Sequence, residues 1–240
     1  MIGLPAATRA CLFDLDGVLT QTATLHATAW KRMFDEFLRA RAAAGAPFVP
    51  FDLAHDYDLY VDGKLRIDGA RAFLESRGIH LPDDDVAALA ERKDELLVDE
   101  LRRRPVATYA GSVRYVKAAR QAGLRTAVVS ASKHCKEALE SAGIADLFDA
   151  RIDGNVAAAA HLAGKPAPDT YLAAARAVGV EPERAAVFED ALAGVEAGRA
   201  GHFGFVVGVD RIHRNGHAAE LSRHGADVVV EDLAALLEAA

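Results

Sequence analysis

Cysteine is scarce: Cys11 and Cys135 are the only two in 240 residues. Two thiols cannot build a disulfide framework, and Cys11 lies in an apolar run just before Asp14, so both read as structural thiols. Basic residues are never massed. Lys and Arg total 28 against 35 Asp and Glu, the formal charge is −7, and no block of five or more basic residues occurs. Without that electrostatic footprint a nucleic-acid partner is excluded. No stretch reaches the ~18 uncharged apolar residues of a membrane span, and MIGLPAATRACLF lacks a charged region followed by a long apolar run. The expectation is a cytoplasmic protein with no membrane partner. Internal repeats are missing too, since the Ala-rich stretch 156–160 has no period. What remains is 51% hydrophobic and 26% charged, an ordinary globular composition with room for one large domain or two small ones.

Short apolar runs at 10–13, 126–130, 185–188, 205–209 and 227–230 read as strands. Between them lie helical patterns at 112–121, 136–142, 168–178 and 192–200. Apolar strands alternating with helices predict an α/β fold, a Rossmann-like parallel sheet covered on both faces. One interval breaks the rhythm. After Asp16 about ninety residues pass without a strand signal, through helix-favouring stretches at 25–44, 69–77 and 83–104. A loop of that length inside a compact domain is implausible, so the sequence predicts an inserted α-helical cap at 22–105 on a core of 1–21 and 106–240.

Ligands of an open parallel sheet bind at the carboxyl ends of its strands, so polar residues at those ends carry the functional information. They are Asp14 and Asp16 in LFDLDGVLTQ, Ser130 and Ser132 in VVSAS, and Glu189 and Asp190 in VFED, with Lys165 in the loop GKPAPD. Two aspartates one residue apart at the end of a buried strand repel and resist desolvation, which asks for a cation, a proton or a positive substrate group. Taken singly, each residue has a plainer reading. Asp14 or Asp190 suits a helix cap or turn, the two serines suit a cap for the helix beginning near Lys133, and Lys165 suits a solvated loop. Its place between Gly164 and Pro166, in a rigid turn, argues that Lys165 is aimed.

In order and spacing, DLDGVLT, VVSAS, GKPAPD and VFED resemble the four motifs of the haloacid dehalogenase (HAD) superfamily of phosphotransferases. LHATAW, YVDGKLRIDG and ERKDE resemble segments of its β-phosphoglucomutase branch, whose inserted helices form a cap. The resemblance implies Asp14 as nucleophile forming an aspartyl-phosphate, Asp16 as general acid and base, and Ser130 and Lys165 gripping the transferring phosphoryl group. It implies Mg²⁺ held by Asp14, Glu189, Asp190 and the backbone carbonyl of Asp16, as suits a hard cation wanting oxygen ligands.

The superfamily contains hydrolases and isomerases, and the fold does not decide between them. A mutase needs an anion site away from the metal. Arg66 matches the arginine that anchors the distal phosphate in the mutase branch, and its planar fork suits bidentate phosphate contacts. Lys93, Ser132 and Lys133 match further substrate-binding positions, His26 the cap-hinge histidine, and Thr22 a residue that couples cap closure to the acid/base aspartate. Individually Arg66, Lys93 and His26 also suit surface or helix-packing roles. Gln21 replaces the usual aspartate, and Lys64 and Leu65 replace smaller or polar neighbours. The resemblance implies conversion of β-glucose 1-phosphate into glucose 6-phosphate through a 1,6-bisphosphate. The alternatives are a phosphatase of small phosphosugars and a non-catalytic sugar-phosphate sensor or structural subunit. A small phosphorylated sugar is the expected partner, and a monomer is compatible with the sequence.

Overall fold

Six strands, β1 (Ala10–Phe13), β2 (Arg125–Val129), β3 (Ala150–Ile152), β4 (Ala185–Glu189), β5 (Phe205–Val209) and β6 (Val228–Val230), form one sheet of order 3-2-1-4-5-6. All pairings are parallel. The architecture is that of a computed structural model describing residues 2–45, 47–103, 106–211 and 216–238. Alternation along β1 sends Cys11 and Phe13 to one face and Ala10 and Leu12 to the other. Each face has its own core, which is why the strand reads as apolar throughout rather than alternating.

Between β1 and β2 the chain builds α1 (Ala23–Ala43), α2 (Arg66–Ser76) and α3 (Asp83–Arg103). The core helices follow: α4 (Ala110–Gln121), α5 (Cys135–Ser141), α6 (Gly154–Ala159), α7 (Asp169–Ala177), α8 (Leu192–Ala200), α9 (His217–His224) and α10 (Ala235–Glu238). Helices α4, α5 and α10 cover the Phe13 face, where Phe13 stacks on Phe188 at 4.4 Å; α7 and α8 cover the other. The inserted helices bury a separate cluster. Trp30, Met33, Phe34 and Leu38 recur at helical spacing on α1, and the Phe34 ring meets Phe73 at 4.1 Å and Phe51 at 5.2 Å.

The expected α/β class with an inserted helical cap is the observed one. Strand β3 has no counterpart in the sequence reading, because its three residues, Ala-Arg-Ile, are too few to show a period. A π-helical turn at Tyr57–Val61 also went unread, and α2 begins at Arg66 rather than at Gly69. The expected helix end at Arg104 and cap end at Pro105 lie outside the described residues. Cys11 and Cys135 are buried and unpaired, and burial pushes both thiols up, away from the reactive thiolate. Among the described residues no helix is long and apolar enough to cross a membrane.

Candidate active site

Strands β1 and β4 are adjacent at the point where the sheet order reverses, so their carboxyl ends frame the crevice in which such sheets bind ligands. Asp14 continues the ladder, its backbone N–H donating to Phe188 at 2.9 Å. Glu189 ends β4 and Asp190 follows it. Carboxylate oxygens of Asp14, Glu189 and Asp190 lie within 4.8 Å of one another, all three residues buried. Gly17 makes room for this cluster: its φ is +90°, and a Cβ there would stand 1.7 Å from Asp190 Oδ2.

Lys165, itself buried, is the cluster's internal counterion. Its Nζ donates to Asp14 Oδ1 at 2.6 Å and to Glu189 Oε1. Burial alone would push this ammonium down; Asp14 and Glu189 instead hold it well above the ordinary lysine value. Glu189 is further tied by the Tyr171 hydroxyl at 3.1 Å and by the Ala191 N–H at 3.0 Å. No donor from the described residues hydrogen-bonds the Asp190 carboxylate. Burial, with Asp62 and Asp14 nearby, pushes Asp190 well above the carboxylate range. Asp14 is raised too, by burial first, against the opposing pull of Lys165. One lysine against three buried carboxylates leaves a cluster short of positive charge and made wholly of hard oxygen donors. That donor set fits a magnesium ion.

Asp16 faces a different neighbourhood. Thr22 Oγ1 donates to its Oδ1, Ser130 Oγ donates to its Oδ2 at 3.3 Å, and His26 Nε2 stands 3.5 Å from Oδ1. Thr20 Oγ1 lies 2.7 Å from Thr22 Oγ1, extending the hydroxyl chain. The Asp16 side chain is therefore turned from the three-carboxylate cluster, and the sequence expectation for the metal concerned its backbone carbonyl only. Ser132 N–H donates to Ser130 Oγ at 3.1 Å and His134 N–H to Ser132 Oγ at 3.2 Å, so both serines also stabilise the turn entering α5.

The cap closes over this rim. A cavity of about 320 Å³ lies between cap and core, lined by Asp14, Asp16 and Asp190 and by Arg66, Lys93 and Lys133 among others. Lys93 is buried, 3.1 Å from His26 Nδ1 and 5.2 Å above the Trp30 ring. Burial lowers Lys93 to about 8, with Asp16 and Asp94 opposing the fall and Arg66 adding to it. Burial, then Lys93, lower His26 to about 4. The neutral imidazole accepts from Lys93 through Nδ1, which leaves its proton on Nε2, facing Asp16. Lys133 is exposed at the cavity wall. Arg66 is not free: Nη2 donates to Glu91 at 2.8 Å and Nη1 lies 2.6 Å from Asp94.

Two departures noted in the sequence find places here. Leu65 packs against Gly164, beside Lys165 and its cis peptide bond to Pro166, and a Cβ on Gly164 would meet Leu65 Cγ at 2.5 Å. Lys64 Nζ donates back to the Leu59 carbonyl at 3.1 Å. Other residues at or beside the cavity had no visible signal. Asp62 hydrogen-bonds Tyr57, and burial raises its carboxyl to about 7. His134 Nε2 stands 3.2 Å from Asp94 Oδ2, linking core to cap. Only adjacency to Lys93 and Lys133 hinted at Asp94 and His134.

Residues 8–202 match the haloacid dehalogenase-like hydrolase family. The chain is 53% identical to a β-phosphoglucomutase of Mycobacterium tuberculosis, the alignment covering 99% of this chain and 94% of that protein. It is 30% identical to a fructose-1-phosphate phosphatase of Escherichia coli over 79% of this chain and 90% of the relative. Among solved structures, a β-phosphoglucomutase of Clostridium difficile superposes with a TM-score of 0.77 at 25% identity, covering 95% of this chain and 93% of the other. With the buried carboxylates at the sheet's switch point and the helical cap above them, these matches make the chain an enzyme that belongs to the haloacid dehalogenase-like hydrolase family.

Proposed function

We propose that the protein moves a phosphoryl group between positions of a small sugar phosphate, most specifically from β-glucose 1-phosphate to glucose 6-phosphate. The observation that supports this reading best is that one cavity brings together a carboxylate cluster, with Lys165 paired to Asp14, and three further cations, Arg66, Lys93 and Lys133. A phosphatase needs the carboxylate cluster alone, whereas a mutase must also hold a second phosphate away from it.

In this mechanism Asp14 attacks phosphorus, the bond from phosphorus to the leaving oxygen breaks, and an aspartyl-phosphate forms. Asp16 gives its proton to that leaving oxygen. In the reverse half-reaction Asp16 takes the proton of the sugar hydroxyl that attacks the aspartyl-phosphate, so one residue serves both directions. The donors from Thr22, Ser130 and His26 aim its two oxygens. Lys165 holds Asp14 in line and offsets charge on the transferring oxygens. Asp14, Glu189 and Asp190, with the backbone carbonyl of Asp16, would hold Mg²⁺, which when bound supplies charge neutralisation at the phosphoryl group. The cap excludes water, which otherwise takes the sugar hydroxyl's place as acceptor.

The test is to incubate the protein with Mg²⁺, a trace of glucose 1,6-bisphosphate and β-glucose 1-phosphate, and to quantify glucose 6-phosphate against free phosphate. Glucose 6-phosphate in large excess is expected. Steady release of inorganic phosphate without glucose 6-phosphate would replace the mutase reading with the phosphatase one, which the likeness to the Escherichia coli enzyme favours. Asp14 and Asp16 would keep their roles in either case.

A further inference from the structure

Arg66 is the first residue of α2, where the positive end of a helix disfavours a cation. It is nonetheless largely buried, its side chain 13% exposed, and two carboxylates on α3 pair with it: Nη2 hydrogen-bonds Glu91, whereas Nη1 lies close to Asp94 without an aligned hydrogen bond. The two differ in kind. Glu91 is mostly in water, its side chain 65% exposed. Asp94 is 21% exposed and lines the cavity. Its Oδ1 lies 2.6 Å from Arg66 Nη1 on the cap, and its Oδ2 stands 3.2 Å from His134 Nε2 on the core. One carboxylate thus bridges two nitrogen groups of opposite domains inside the substrate cavity, as an anionic end of a ligand would.

We propose that Asp94 is a built-in stand-in for the substrate's distal phosphate: it occupies Arg66 and is displaced when a phosphosugar binds, and so sets which substrates can use that end of the cavity. The proposal rests on the reading of Arg66 as the distal anion site. Displacement is feasible because a phosphate dianion offers more charge and more acceptor oxygens to a guanidinium than one carboxylate does. Asp94 already reaches solvent and can be rehydrated as it swings away. A neutral hydroxyl at the same position cannot compete with a carboxylate for Arg66, so a sugar with no phosphate at that end would break the Asp94 contacts without replacing them. The discrimination is therefore partly repulsive: Asp94 weakens every ligand that must reach Arg66, and most of all one that offers it a neutral group. His134 positions the bridge from the core side.

The isosteric variant Asp94→Asn removes the charge and keeps the volume. It is expected to lower KM for β-glucose 1-phosphate by about tenfold, the scale of one charge-assisted contact no longer competed for. The gain should be smaller for p-nitrophenyl phosphate, which carries no second group to reach Arg66 and so has less to recover from the lost competition. Binding of glucose 1,6-bisphosphate, followed by the fluorescence of the single tryptophan, Trp30, on the cavity wall, should tighten in parallel. An unchanged or raised KM in Asp94→Asn, with Asp94→Ser behaving alike and both melting as the parent does, would overturn the proposal, since a carboxylate that merely orders Arg66 helps binding. Arg66→Ala separates the two levels. If it weakens the bisphosphate and Asp94→Asn fails to tighten it, only the stand-in role is lost; if Arg66→Ala binds as the parent does, the anion site itself falls and Asp94 with it.

Discussion

Asp14 and Asp16 are two residues apart, yet they meet different surroundings: Asp14 a lysine and two further carboxylates, Asp16 two hydroxyls and a neutral imidazole. Their different partners suit one carboxylate that bonds to phosphorus and one that carries a proton. Lys93 shows what such placement costs the fold. Its folded pKa of about 8 lies below the ordinary 10.5, so between these values the unfolded chain binds a proton that the folded chain has lost, and stability rises with pH across that window. Below about pH 8 the whole penalty is present, roughly 3 kcal/mol at about 1.4 kcal/mol per unit. Lys93→Met should therefore raise the melting temperature at pH 7 by about 2–4 °C after the lost contacts to His26 and Trp30, with the advantage shrinking by pH 10. It should also weaken binding of phosphosugars. Paired thermal melts and KM measurements check both, and a variant less stable at pH 7 would show that the His26 and Trp30 contacts outweigh the buried charge. At this scale the motif residues were legible because each ends a strand or starts a rigid turn. Asp94 and His134 were not, because their meaning lies in partners far away in the chain: His134 is 40 residues from Asp94.

At the level of elements, long periodic segments were legible and short ones were not. The α1 stripe of Trp30, Met33, Phe34 and Leu38 announces its helix, whereas β3 owes its existence to pairing with β2. The segment before α2 is held by tertiary contacts instead: Asp35 on α1 accepts the Phe51 N–H at 2.9 Å, and Leu65 seats on Gly164. That last contact carries a test of how the cap docks. Adding a methyl at Gly164 places it 2.5 Å from Leu65 Cγ, so Gly164→Ala should hold the cap off the rim and lower kcat/KM for phosphosugars by roughly tenfold, the scale of about 1–3 kcal/mol for overpacking. Leu65→Ala opens the matching space. The double variant should regain most of the loss, and melting of the core should change little in either protein. A double variant as impaired as Gly164→Ala alone would mean that Gly164 serves the Lys165 turn rather than the cap.

Over the whole molecule, the sheet and its two apolar layers act as the frame that forces three carboxylates together. The core clusters bury β1 and β4 on both sides, and the strand ends have no freedom to spread. The repulsion is a standing cost of the fold, relieved in part by Lys165, and a bound cation would convert it into a gain. Metal binding and stability are then linked. At a Mg²⁺ concentration a hundredfold above its dissociation constant the folded state gains about 2.7 kcal/mol, which in a chain of 240 residues raises the melting temperature by roughly 5–10 °C. Asp190→Asn tests the cause as well as the effect, because Asp190 is the member of the cluster whose carboxylate no described donor satisfies. In chelator the variant should melt at or above the parent, having lost one of three crowded charges. In saturating Mg²⁺ the order should invert, the parent rising while the variant barely moves. Parallel melts of parent and variant, each with chelator and with Mg²⁺, read out the crossing without any substrate. A parent that melts at the same temperature in both conditions would show that the three carboxylates are balanced by Lys165 and bound protons alone, and the metal would then have no place in the proposed mechanism.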